Sequence, residues 1–225
     1  MADHAHALDP DADPVYIQYE DIGQQQESYL VGMWVFLVTE IMFFGALFLI
    51  YILYRWNYQE DFYLVHKQLD WFWGGVNTLN LLVSSFFMAA AVHFAQKKQT
   101  RPQLLMLGLT LVCAFIFLGI KYYEYSGKIH HGLFPNANFS YGLVPDQLGD
   151  PEHARLFMSL YFAMTGLHGV HVVVGIIIIS ALMFFTIRKA PTITDYIPTE
   201  MVGLYWHFVD LVWIFLYPLF YLIPK

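Results

Sequence analysis

The stretch EMVGLYWHFVDLVWIFLY, residues 200–217, is apolar enough to lie in a bilayer, yet it carries two carboxylates and an imidazole. On an α-helix, residues three, four and seven apart share a face. Glu200, Gly203, His207, Asp210 and Ile214 therefore form one stripe, with Trp206 and Trp213 on a neighbouring face. Ionisable groups in hydrocarbon are costly and point into a bundle interior, paired with something. The stretch thus reads as a membrane helix with one buried side, for which the rest of the chain or a partner supplies the matching surface. On that face His207 is expected to pair with Asp210.

The remainder of the sequence fits this frame. Of 225 residues, 58% are hydrophobic and 13% are charged, against about 25% charged in a soluble domain. That composition indicates an integral membrane protein, and no nucleic-acid partner is expected. The net charge of −7 is concentrated at the start. Residues 1–28 hold Asp3, Asp9, Asp11, Asp13, Glu20, Asp21 and Glu27 with no lysine or arginine. They read as a flexible acidic tail in which His4 and His6 are solvated. The tail lacks the basic and apolar regions of a signal peptide, so the first membrane helix is expected to direct insertion. Cys113 is the single cysteine, which excludes an internal disulfide, a CxxCH haem attachment, an iron–sulfur cluster or a thiolate dicopper centre on this chain alone.

Hydropathy divides residues 29–225 into five spans at about 29–54, 71–95, 103–126, 154–187 and 198–222, so the expected fold is an all-α membrane bundle of five helices. Within the first, Trp34–Gly45 reads WVFLVTEIMFFG and places Glu40 halfway across. A charge there costs roughly 2.5 to 3.5 kcal/mol on insertion scales, so Glu40 is either a proton-linked carboxyl or an interhelical hydrogen-bonding group. Small and polar residues of the second span, among them Gly74, Asn77, Thr78, Asn80, Ser84 and Ser85, permit close helix contact. In the third, Lys121 and Glu124 are spaced to pair at the membrane edge. The fourth contains TGLHGVHVVVG at 165–175, where His168 and His171 share a face and Thr165 is the expected partner of His168. His130 and His131 fall in the loop 127–152 and read as surface groups. The short loops with Lys97, Lys98, Arg101, Arg188 and Lys189 lie on the side of the N-terminus. Short basic loops mark the inside, so the N-terminus is expected to be cytoplasmic and the C-terminus outside.

Three functions suit such helices. Haem or metal ligation would use His168, His171 and His207, but haem needs axial ligands on facing helices, and each of these histidines has a non-metal partner in reach. Transport would use Glu40, Glu200 and Asp210 as relay groups, but five helices do not divide into inverted repeats. A packing subunit of a larger membrane complex needs the fewest assumptions, because 19% of the chain is aromatic and gives broad contact surfaces.

Two of these stretches, TGLHGVHVVVG at 165–175 and YWHFVDLVWIFLY at 205–217, resemble the signature helices of the cytochrome c oxidase subunit III family. WVFLVTEIMFFG at 34–45, NTLNLLVSS at 77–85 and FLGIKYYEY at 117–125 resemble it in the same order. Mitochondrial-type members have seven spans, and this chain resembles their last five, as many bacterial members do. The resemblance implies an accessory subunit of a haem–copper terminal oxidase in a bacterial inner membrane. It implies no haem, copper or other cofactor on this chain, with haem and copper in partner subunits. It implies oxidase subunits I and II as partners, with cytochrome c or another electron donor engaged indirectly. The helices would split into two groups around a lipid-filled cleft that binds phospholipid, serves as an oxygen route and supports proton uptake. Glu40 corresponds to the family's buried, carbodiimide-reactive glutamate. Glu200, His207 and Asp210 match its last-helix polar set, and His168 and His171 its penultimate one, in mainly structural roles. A quinol oxidase subunit is the alternative, and a nitric oxide reductase subunit a more distant one.

Overall fold

A computed structural model describes residues 18–135, 139, 150–188 and 196–223. Six helices appear among them: α1 (Ile22–Asn57), α2 (Gln59–His66), α3 (Trp71–Gln96), α4 (Thr100–His130), α5 (Pro151–Ile187) and α6 (Ile197–Tyr221). All except α2 are long and apolar enough to cross a membrane. The architecture is a five-span helical bundle.

Local chemistry sets the helix ends and moves several of them from the boundaries that hydropathy gives. The acidic tail was expected to extend to residue 28, but α1 begins at Ile22. Asp21 caps it, accepting from the Gln24 amide at 2.7 Å, while Gln24 Oε1 accepts from the Glu20 amide. Reciprocal capping of this kind satisfies orphan donors, so polar residues 22–28 join the helix although they are too polar for hydrocarbon. Residues 1–17 lie outside the described residues. Similarly, α4 runs past residue 126 to His130, because Lys128 reaches back one turn to bond Glu124. Asp150 caps α5, whose first residue is Pro151, a position where proline's missing donor costs nothing. The loop 55–70 contains α2, which buries Phe62 and Val65. Asp61 ties α2 to α5, bonding His153 Nδ1 at 2.6 Å and accepting from the Asp150 amide at 3.1 Å.

Helices α3, α4, α5 and α6 form a four-helix group in which α3 lies against both α4 and α6, and α6 also against α5. Half of the apolar window of α6 is buried inside the chain, against 17% for α1. The last helix is therefore the centre of the packing and α1 its periphery. Close approach needs missing side chains at three places, one of them Gly74, whose Cβ would lie 2.9 Å from the Tyr217 ring. A Cβ on Gly175 would lie 2.7 Å from the Trp206 ring, and one on Gly203 would lie 2.9 Å from Val92. α1 rests on α6 through Phe44 and Phe208 and through the Tyr51 hydroxyl, which donates to the Leu219 carbonyl at 2.6 Å. Its contact with α5 is slight. The two expected groups are accordingly unequal: four helices, and α1 alone. Between α1, α5 and α6 lies a cleft of about 380 Å³ lined by Met33, Phe36, Val170, Val174 and Tyr205, with His171 at its polar edge.

Candidate functional site

The most heavily bonded polar cluster sits where α4 ends. Lys121, Glu124 and Lys128 occupy successive turns of one α4 face and are buried, with side chains 4–8% exposed. Glu124 accepts from Lys121 at 2.9 Å and from Lys128 at 2.6 Å. Tyr161 of α5 and Tyr221 of α6 add their hydroxyls, donating to Glu124 Oε1 at 2.9 and 2.6 Å. Both hydroxyls in turn accept from the Lys121 ammonium, at 3.0 and 3.1 Å. One carboxylate is thus held by two cations and two phenols from three helices. A cavity of about 650 Å³, lined in part by Asp70, Glu124, Lys128, His130 and His131, opens onto this cluster. The spacing of Lys121 and Glu124 anticipates the pair at its centre. Lys128, four residues after Glu124, was equally legible from spacing. The two tyrosines come from distant helices and carry no local signal.

The cleft holds a second polar pair. His171 Nε2 lies 3.1 Å from Glu40 Oε2, and His171 Nδ1 lies 2.9 Å from the Leu167 carbonyl. A carbonyl only accepts, so Nδ1 carries a proton. Nε2 then either accepts from a protonated Glu40 or, as imidazolium, donates to its carboxylate. Either way the pair is net neutral, which is what a partly lipid-facing position requires. Tyr205 donates to the His171 carbonyl at 3.0 Å, so α1, α5 and α6 meet at this residue. Of the two readings of Glu40, this geometry displays the interhelical one.

The third set lies between α3 and α6, and it departs from the expected pairings. His207 does not bond Asp210: its Nδ1 meets Ser85 Oγ on α3 at 2.7 Å. Trp206 Nε1 donates to Ser84 at 2.9 Å, and Trp213 Nε1 to Thr78 at 3.1 Å. Nor does Thr165 bond His168; it donates to the Tyr161 carbonyl and meets the Tyr125 hydroxyl. His168 is fully buried between the rings of Phe117 and Trp213. Neither of its nitrogens has a hydrogen-bond partner among the described residues, and the same holds for both polar atoms of Asn77; the buried Asp210 carboxyl faces Ser85 of α3. Glu200 lies in the first turn of α6, partly exposed, and joins neither His207 nor Asp210. The physical reason for these differences is common to them. A side chain on a packed helix points at the facing helix, so groups sharing a stripe on one helix are more often neighbours than partners. Among the described residues, no three His, Cys, Asp or Glu side chains converge as a metal site.

The similarities to known proteins follow the same helices. A family model described as cytochrome c oxidase subunit III matches residues 152–224, which span α5 and α6. The chain is 29% identical to cytochrome c oxidase subunit 3 of Thermostichus vulcanus, over 93% of this chain and 94% of that protein. It is 28% identical to cytochrome bo(3) ubiquinol oxidase subunit 3 of Buchnera aphidicola, over 88% of this chain and 95% of the relative. A probable quinol oxidase subunit 3 of Staphylococcus saprophyticus is 26% identical over 86% of this chain and 88% of its own length. With five candidate spans among the described residues, the chain is similar over nearly its whole length to oxidase third subunits, and its last two helices match the cytochrome c oxidase subunit III family model.

Proposed function

We propose that the chain is a non-catalytic subunit III of a proton-pumping terminal oxidase that reduces oxygen to water with electrons from cytochrome c. It stabilises the catalytic subunit I, alongside subunit II, and sustains turnover. One observation supports this reading above others. The polar groups inside the membrane region are largely spent on ties between helices: Lys121, Glu124 and Lys128 with two tyrosines, Glu40 with His171, His207 with Ser85, and two indoles with hydroxyls. Side chains used in this way hold a bundle and leave haem and copper to the partner subunits. The outer faces fit the same role. Trp34, Met42, Leu49, Phe86, Phe115 and Val170 are each more than half exposed, an apolar surface suited to lipid and to partner helices. The cleft beside His171 suits phospholipid acyl chains or dissolved oxygen, and Glu40, besides its bond to His171, is on this reading the group that supports proton uptake. On this reading the chain sits in a bacterial inner membrane, and its short basic loops support a cytoplasmic N-terminus and a C-terminus outside.

The test is a complex purified without this chain. The expected result is normal haem content and normal first turnovers, with activity that decays under continued turnover. Loss of the first turnovers at normal haem content overturns the accessory reading. A quinol donor is the second reading, favoured by the ubiquinol and quinol oxidase names of two relatives. Turnover of the intact complex with reduced cytochrome c and, separately, with quinol decides between them.

A further inference from the structure

Where α1 ends, the chain bends. Tyr58 closes α1 and opens α2 with φ −126° and ψ 49°, outside the helical region, so the two helices meet as an elbow. Ile52, Arg55 and Trp56 on one side of the bend, and Tyr63, Leu64 and Lys67 on the other, follow the three- and four-residue spacing of a single helix face. With Ile223 they line an open cavity of about 780 Å³ inside the elbow. Arg55 and Lys67 bring two positive charges to it. Glu60 brings one negative charge from the first turn of α2, where the helix dipole favours it. The cavity therefore keeps a net charge of +1, two cations less one carboxylate. The neighbouring Asp61 is committed to His153 and the Asp150 amide. Among the described residues, the Arg55 guanidinium has no ion pair or side-chain hydrogen bond, and the Lys67 ammonium rests only over the Tyr63 ring, 4.4 Å from its centroid. Burial chiefly, and also the charges of Lys67 and Arg55, lower the pKa of His66, so both cations act on this one region. The rest of the lining is apolar. Trp56 is 76% exposed, in the setting of an aromatic side chain at a membrane–water boundary. Below it the exposed α1 face continues through Ile52, Leu49 and Met42.

We propose that the elbow binds an anionic phospholipid, with Arg55 and Lys67 holding its phosphate and the acyl chains running from Leu64 and Ile52 along the exposed α1 face. Arginine offers a planar fork that matches phosphate oxygens, and lysine a mobile point charge. Net positive charge at a membrane edge selects anionic over zwitterionic headgroups. The apolar half of the cavity gives a lipid, and not a soluble phosphate, its additional contact. The site is separate from the cleft beside His171: Ile52 lies sixteen residues beyond Phe36, about 24 Å along α1.

Photo-crosslinking tests it, on the native membrane complex that contains this chain, in nanodiscs of phosphatidylcholine. The probes are phosphatidylglycerol and phosphatidylcholine carrying the same diazirine on an acyl carbon next to the ester, and labelled peptides are located by mass spectrometry. The expected result is labelling of residues 56–67 several-fold higher with the phosphatidylglycerol probe. Equal labelling by the two probes, or none, overturns the proposal. Arg55→Gln and Lys67→Gln are each expected to lower the phosphatidylglycerol labelling about fivefold, the gain that one basic residue gives at an anionic surface. Unchanged labelling in both variants overturns the assignment of the two cations. Excess inorganic phosphate is expected to leave the labelling in place; its loss would make the elbow a site for soluble anions and overturn the lipid. The comparison of the two probes on the native chain stands by itself if a variant does not assemble.

Discussion

Replacing Glu124 with glutamine removes the one anion shared by Lys121, Lys128, Tyr161 and Tyr221. In the native bundle this carboxylate accepts four hydrogen bonds, between 2.6 and 2.9 Å long. Glutamine keeps one acceptor oxygen and turns an amino group toward the ammonium ions, leaving two buried cations without a counter-ion. Removing one member of a buried charged set costs about 3–5 kcal/mol. That lowers the folded-to-unfolded ratio roughly 150- to 5,000-fold, at 1.36 kcal/mol per tenfold. Glu124→Gln is therefore expected to unfold at markedly lower SDS fraction when the chain's helicity is followed by circular dichroism in mixed micelles. A companion variant separates charge imbalance from lost packing. Lys121→Met, Glu124→Leu and Lys128→Met together remove every charge of the cluster at similar volume, and Tyr161 and Tyr221 still reach each other at 3.0 Å. Exchanging a whole buried ion set for packed apolar residues is near neutral or stabilising, so the triple variant is expected to be more stable than the single one. The reasoning is refuted if Glu124→Gln lies within about 1 kcal/mol of the native chain, or if the triple variant is less stable than the single one.

Two further variants probe the rest of the bundle. Gly175→Ala puts a methyl group 2.7 Å from the Trp206 ring and is expected to destabilise by about 1–3 kcal/mol. Gly45→Ala, with nothing within 4 Å of its Cβ, is expected to be neutral or to gain up to about 1 kcal/mol; equal effects in detergent melting would contradict this account of their packing. A double-mutant cycle of Glu40→Ala and His171→Phe is expected to give a coupling near 0.6 kcal/mol, the average for membrane hydrogen bonds, with about 1.7 as its ceiling. Zero coupling would mean that the pair does not hold α1 to α5.

The membrane architecture was legible in the sequence because hydropathy over about twenty residues is a direct consequence of bilayer thickness. The short helix α2 was not, because eight residues with two buried apolar side chains give too weak a pattern to stand out in a loop. Among the polar groups, success tracked sequence distance. Lys121 with Glu124 is an i,i+3 pair and could be read from spacing. Glu40 with His171 spans 131 positions and Ser85 with His207 spans 122, and nothing in either local sequence names the other. The two own-helix pairings that spacing favoured, His207 with Asp210 and His168 with Thr165, were those the fold did not make.

Those same misreadings point to how this bundle fixes its register. In lipid no hydrophobic force drives helices together, and an unbonded N–H is costly. Two indoles seven residues apart on α6, Trp206 and Trp213, each need an acceptor, and α3 supplies Ser84 and Thr78 six residues apart. Antiparallel helices present such pairs at matching heights in one register only. Sliding α6 by one residue along α3, about 1.5 Å with a rotation near 100°, turns both indoles off their hydroxyls at once. The same slip drives Trp206 away from Gly175, where its ring occupies the space of a missing side chain, and moves Gly203 away from Val92 and Met88. Position along the helix is thus set by large donors meeting small acceptors and by rings meeting glycines. Charge enters at the end of α4, where three helices close on Glu124. The stripe of Glu200, His207 and Asp210 divides accordingly between the partly exposed first turn of α6 and the buried α3 seam, where His207 bonds Ser85 and Asp210 lies beside it.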